Sequence, residues 1–333
     1  MNLYTNTKAL CLCPSVSGRE DGIRKLIGEM IAPYADEVRT DALGNLIATK
    51  KGKEGGARVM LCAHMDEIGF LVTFIEDSGM LRVAPVGGIN STAAANSVVV
   101  SERGTLGVIV PESGAKELSC DKLYIDLGTK SKKESERRAA IGDFFVCRPE
   151  LIKLAGKRIA GRPLDDRIGC AILIEIARLL SESPLSGEVS YVFSVQEEVG
   201  CRGARPAAFG LAPDYALCFD VTATGDTVGA TPMACKLGGG AAVKLKDQSV
   251  ICSEAVTRTL CELAESHGIP YQREILLRGG TDASSMQLAG AGTRTGALSV
   301  PTRYIHSGTE LCDLSDAEAC VLLGAEFVKK TLA

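Results

Sequence analysis

The stretch RVMLCAHMDEIGF, residues 58–70, decides how this chain is read. Arg58 to Ala63 is a short, largely apolar run that reads as a buried strand delivering His64 at its carboxyl end. Asp66 follows two residues later. From about residue 68 the texture changes. GFLVTFIEDSGMLRVAPVGG (69–88) and NSVVVSERGTLGVIVPE (96–112) are β-rich segments broken by Gly, Ser and Asn, with no βα alternation. One short stretch therefore ends a strand on a chemically distinctive pair and opens an inserted β region.

On the amino-terminal side, Ser17 and Glu20 have capping-box spacing just before the amphipathic segment Ile23–Ile31. TDALGNLIATKKG (40–52) reads as a hairpin turning at Gly44-Asn45. Within the insert, Ser131 to Ala139 reads as a short helix whose run KSKKESERR (130–138) is a solvated face. After Gly161 the α/β texture returns. A helix is expected over 165–180, with Ile168, Ile172, Ile176 and Leu179 at helical spacing. Further helices are expected over 202–209, 254–267 and 315–331, and strands over 188–195, 215–219 and 295–300. The expected fold class is α/β: a layered catalytic domain formed by residues 1–67 and 159–333, interrupted by a β-rich domain at 68–158.

Composition sets the outer limits. The chain has 333 residues, 46% of them hydrophobic, enough for a sizeable core. A net charge of −4 gives no reason to expect nucleic-acid binding. The thirteen cysteines are odd in number, scattered and mostly inside apolar runs, with no C-x-x-C pair. They read as reduced core residues, not disulfides or a structural zinc site. No signal-peptide pattern and no apolar run of about 18 residues is visible, so the expected location is the cytoplasm, away from membranes.

Five segments carry the chemistry: His64 and Asp66, then Asp165 and Asp166 in RPLDDRIGC, Glu197 and Glu198 in SVQEEVG, Asp220 in ALCFDVT, and His306 in VPTRYIHSGTE. Each alone has an ordinary explanation, since an Asp-Asp at a helix start commonly caps it and a Glu pair after a strand is commonly surface charge. Four of the five, however, follow apolar strands, and ligands in open α/β sheets bind beyond the strands' carboxyl ends. Two histidines with several carboxylates and no thiolate suit Zn²⁺, Co²⁺ or Mn²⁺ in a catalytic site. A metal pair about 3.5–4 Å apart needs a bridging carboxylate. His64, Asp165, Glu198, Asp220 and His306 satisfy that count. Glu197 is left over as a general base, and Asp66 as the group that orients His64 through its other ring nitrogen. His267, at a helix carboxyl end, fits a dipole contact and has no catalytic role.

These segments together resemble the co-catalytic metalloaminopeptidases of metallopeptidase family 42, which include glutamyl and tetrahedral aminopeptidases. The likeness covers nearly the whole chain, through SGREDGIRKLI (17–27), DALGNLIATKKG (41–52), AHMDEIGF (63–70), DKLYIDLGTKSKKE (121–134), GRPLDDRIGC (161–170), VQEEVGCRGA (195–204), FDVT (219–222), GGTDA (279–283) and RYIHSGTE (303–310). The resemblance implies a zinc-peptidase-like α/β/α domain with a mixed sheet and an inserted β-rich dimerisation domain. It implies two divalent ions per subunit, one held by His64 and Asp220, the other by Glu198 and His306. Asp165 would bridge them, in preference to Asp166, with a cis peptide bond after it, and Glu197 would be the base. It further implies removal of N-terminal residues from short peptides, and dimers that build a twelve-subunit tetrahedron. Two other readings share the same residues: a two-metal deacylase or carboxypeptidase, and an inactive metal-binding partner subunit. For side-chain preference, Arg278 and Arg303 are candidates for selecting acidic residues, GGTDA offers backbone amides and Asp282 near the substrate, and either arginine reads equally well as a surface residue.

Overall fold

The structure, a computed structural model, describes residues 1–115 and 117–333. The strand Lys53–His64 is exposed over its first half and buried over its last six residues, VMLCAH. A run buried on both faces needs layers above and below it, as in a parallel sheet sandwiched by helices. That is its setting. It lies between the strands Ser186–Ser194 and Tyr215–Thr222, parallel to both. Arg294–Arg303 is parallel to the latter.

These four parallel strands are the centre of an 11-stranded sheet. One edge is the hairpin Glu37–Thr40 and Leu46–Lys51, turning where the sequence placed it. On the other side run Glu310–Asp313, Arg158–Arg162 and Glu150–Lys153, all antiparallel to their neighbours. Ala241–Lys246 and Tyr271–Ile275 branch from the strand Arg294–Arg303. The sheet is therefore mixed.

Alternate side chains divide between its two faces. Val59, Leu61, Leu217 and Leu298 pack beneath the helices Leu3–Cys11, Asp21–Ile31, Arg167–Leu180, Glu254–His267 and Leu314–Thr331. Met60, Cys62, Ala216 and Cys218 face the short helices Ala204–Leu211 and Asp282–Gln287. The result is the expected α/β/α layering. Ile168, Ile172 and Ile176 are fully buried, as their spacing requires.

The insert is a closed six-stranded antiparallel barrel of Gly69–Ile75, Leu81–Val86, Ser97–Ser101, Leu106–Pro111, Leu123–Asp126 and Phe144–Cys147. Phe70, Leu81, Val99, Ile109, Ile125 and Phe145 fill it. The strand Glu150–Lys153, within the range 68–158, hydrogen-bonds into the main sheet through Arg158–Arg162.

Two local expectations need correction. Ser17 and Glu20 form no capping box, and the helix starts at Asp21 with no side-chain cap. The Ser17 hydroxyl donates to Asp66 Oδ2 at 2.6 Å, and Glu20 Oε1 accepts from the amides of Gly18 and Gln196. The charged helix in the insert is a single turn, Lys132–Ser135. All thirteen cysteines are free. Among the described residues no helix is long and apolar enough to cross a membrane.

Candidate metal centre

The four central strands run side by side in one direction, so their carboxyl ends line one rim of the sheet. His64 is the last residue of its strand, and Asp220 lies near the end of Tyr215–Thr222. Glu197 and Glu198 follow Ser186–Ser194, and His306 follows Arg294–Arg303. Asp165 and Asp166 sit between Arg158–Arg162 and the helix Arg167–Leu180. Ligand-binding groups at strand ends are what this topology favours.

The rim gathers them closely. His64 Nε2 is 3.0 Å from Asp165 Oδ1 and 3.9 Å from Asp220 Oδ1. His306 Nε2 is 3.3 Å from Asp165 Oδ2 and 3.2 Å from Glu198 Oε2. Potential ligand atoms thus form two groups, His64–Asp165–Asp220 and Asp165–Glu198–His306, each within 4.8 Å. Asp165 belongs to both and presents one oxygen to each histidine. Asp166 belongs to neither; its side chain accepts from the Gly169 amide and caps the helix. The Asp165–Asp166 peptide bond is cis.

Asp66 is fully buried beneath this rim. Its Oδ1 lies 3.5 Å from His64 Nδ1, and its backbone carbonyl 3.2 Å. The carboxylate also accepts the amides of Glu197 and Glu198, at 3.0 and 3.2 Å. One side chain thus orients a histidine and pins the Glu-Glu turn. Sequence reading missed an equivalent group, Glu310. It is 1% exposed, and its Oε2 accepts the amides of Leu164 and Asp165 while Oε1 accepts that of His306. The RYIHSGTE segment contained it, but two of its three partners are the amides of Leu164 and Asp165, far away in sequence, and contacts to backbone amides leave no motif.

Glu197 borders a cleft of about 440 Å³ shared with His64, Asp165, Asp220, Arg278 and His306. Arg303 instead pairs with Asp226, at 3.0 and 2.7 Å. Gly279 and Gly280 line the cleft, while Asp282 is buried behind it, accepting from Ser194. His267 stands apart: its Nδ1 is 3.0 Å from the Leu263 carbonyl and its Nε2 3.4 Å from Glu326.

Carboxylates outnumber the cationic side chains here. Burial pushes the carboxyls of Asp166, Glu197 and Asp220 well up, and neighbouring carboxylates add to this. Burial and Asp165 raise Glu198 as well. Burial lowers His306, but Asp165 and Glu198 outweigh it and raise the imidazole to about 11. Asp165 is held low despite burial, because both histidines donate to it. A buried set of oxygen and imidazole donors with too few cations suits divalent metal ions, and the donor types are those of catalytic N/O sites.

An α/β/α sheet with a barrel inserted after its first histidine, and a buried histidine–carboxylate rim at its strand ends, has the build of a peptidase. The family description for M42 glutamyl aminopeptidases matches residues 44–323. A putative aminopeptidase of Acetivibrio thermocellus is 43% identical over 94% of both chains. An aminopeptidase from the archaeon Desulfurococcus kamchatkensis superposes with a TM-score of 0.95 at 35% identity, over 99% of this chain and 95% of that one. The TET1 peptidase of Pyrococcus horikoshii, which can assemble into a tetrahedron or a large octahedral shell, superposes with a TM-score of 0.88 at 36% identity, over 98% and 99%. The chain belongs to the M42 glutamyl aminopeptidase family and is an aminopeptidase. Peptidases of this family depend on metal.

Proposed function

We propose that the protein removes N-terminal residues from short peptides with two divalent metal ions per subunit, zinc or cobalt foremost and manganese as a third option. His64 and Asp220 would hold one ion, Glu198 and His306 the other, with Asp165 between them. The observation that carries this reading is the division of Asp165, whose Oδ1 faces His64 at 3.0 Å and whose Oδ2 faces His306 at 3.3 Å. Ions held there supply Lewis acidity and make a coordinated water more acidic.

The chain's own groups do the rest. Glu197, on the cleft wall, takes the proton from the attacking water and returns it to the leaving amine. Asp66 keeps His64 and the Glu197-Glu198 turn in register with each other. The cationic α-amine of a peptide is attracted to the carboxylate-rich cleft, which restricts attack to the first peptide bond. Arg278 is the cleft arginine available to an acidic side chain of the substrate, since Arg303 is committed to Asp226. We further assign the barrel to dimerisation, and the dimers to a twelve-subunit assembly; assembly into large closed particles is what the Pyrococcus horikoshii relative supports, since it can form a tetrahedron or a large octahedral shell. Thirteen free thiols support a reducing compartment, the cytoplasm.

The test is a panel of aminoacyl chromogenic substrates assayed after chelation and again after adding Zn²⁺, Co²⁺ or Mn²⁺. Activity indifferent to metal would overturn the reading. Release of acetate from an N-acetylated substrate, with the chromophore left attached, would make the enzyme a deacylase. Glu197→Gln is expected to lower kcat by about 10²–10⁴-fold while metal content stays unchanged. Full activity in that variant would remove Glu197 as the base.

A further inference from the structure

A third group of potential ligand atoms stands at the cleft wall, distinct from the two that share Asp165. One ligand atom each from Glu197, Cys201 and Asp282 lies within 4.8 Å of the others. Of the three such groups among the described residues, this is the one that contains a thiol. Cys201 Sγ donates to Glu197 Oε1 at 3.1 Å. Asp282 is 1% exposed, and its Oδ2 is occupied by Ser194 and Cys62. Its Oδ1 is buried with no hydrogen-bond partner among the described residues. A buried carboxylate oxygen without a donor is costly, and a cation is the species that would satisfy it.

We propose that Cys201, Glu197 and Asp282 form a site for a soft divalent cation, zinc or cadmium, and that filling it inhibits the enzyme. The inhibition rests on the reading of Glu197 as the general base. One thiolate and two carboxylates match zinc, whose Zn–S and Zn–O bonds of about 2.3 and 2.0–2.2 Å set donor atoms roughly 3.5 Å apart around a tetrahedral ion. Cys201 Sγ and Glu197 Oε1 already stand 3.1 Å apart, and all three donor atoms lie within 4.8 Å of one another. Cys201 borders the cleft, so the ion reaches the site from the substrate side. Without a cation, burial with Glu197 and Asp282 beside it raises the thiol far above its ordinary pKa, which keeps it protonated and a poor nucleophile. On binding, the thiol proton leaves to solvent and a sulfur lone pair forms the bond to the ion. Glu197 gives an oxygen lone pair to the same ion and no longer accepts a proton from water. Thiolate selects zinc and cadmium over manganese, so a metal that supports turnover through the N/O donors need not fill this site.

The full-length enzyme tests this in two measurements. Cadmium titration of the wild type is expected to develop the ultraviolet thiolate-to-cadmium charge-transfer band, with one more bound ion per subunit than in Cys201→Ser or Cys201→Ala, which lack that increment of the band. Excess zinc is expected to inhibit the wild type, and the midpoint to rise by at least about tenfold in Cys201→Ser relative to that variant's own uninhibited rate. Excess manganese, which the thiolate disfavours, is expected to act on both proteins alike, without the Cys201-dependent inhibition seen with zinc. An unchanged band in the variants, an unchanged zinc midpoint, or a wild type that takes up no additional ion overturns the proposal. The band and the ion count are read without turnover. A Glu197→Gln enzyme that stays fully active therefore overturns the base assignment alone, not the site.

Discussion

Asp66 holds the His64 ring and the amides of Glu197 and Glu198 at once, and receives the Ser17 hydroxyl as well. Asp66→Asn keeps the size but turns one acceptor oxygen into a donor facing groups that need acceptors. Metal affinity, measured by competition with a chelator, is expected to fall by roughly 10–100-fold; an unchanged affinity would show that His64 is oriented by its neighbours alone. The histidines and acids named from sequence, His64, Asp165, Glu198, Asp220 and His306, do meet at one rim. They were legible because each ends an apolar strand or opens a helix, where side chains are delivered to the sheet's edge. Glu310, Cys201 and the buried contacts of Asp282 were not legible. Glu310 and Asp282 reach amides or single atoms brought near from distant segments, and the four-residue spacing of Glu197 and Cys201 does not by itself say that their side chains meet.

Among the elements, the helix Leu314–Thr331 shows how closely the layers approach. A Cβ on Gly324 would stand 2.7 Å from both Ile176 Cδ1 and Phe219 Cζ. Gly324→Ala is therefore expected to cost about 1–3 kcal/mol through overpacking, read as a lower denaturation midpoint. The same helix carries Asp316, fully buried, whose carboxylate accepts the amides of Gly238 and Gly240 at 2.8 and 2.7 Å. Burial outweighs these hydrogen bonds and raises its pKa to about 6. The folded chain thus binds this proton more tightly than the unfolded chain, whose value is about 3.9. The contribution is full below about pH 4 and is lost as pH rises through about 6. Melting temperatures at pH 4 and 7 are expected to show a larger loss in the wild type than in Asp316→Asn; parallel losses would exclude the group. The failed capping box has a related cause. Ser17 finds a buried, charged acceptor in Asp66, and such a bond is stronger than one to an exposed backbone amide.

For the whole molecule, the question is what covers the barrel. Val98 and Val108 lie opposite each other on neighbouring strands, Leu106 is two residues from Val108, and all three are exposed, at 43%, 39% and 54%. Apolar side chains grouped on one barrel face suit burial in an assembly. Val108→Asp is expected to shift the sedimentation profile towards smaller species without changing metal content; an unaltered profile would locate the contact elsewhere. The sequence by itself determined the class of the fold and the residues at its rim. Apolar runs of strand and helix length specify layers, and parallel strands must deliver their ends to one side. Only the tertiary structure decided which oxygen of Asp165 faces which histidine, that Asp166 turns away to cap a helix, that the insert closes into a barrel, and that Cys201 and Asp282 meet at Glu197. Those outcomes depend on register and side-chain direction between segments up to hundreds of residues apart, and periodicity within any one segment carries no information about them.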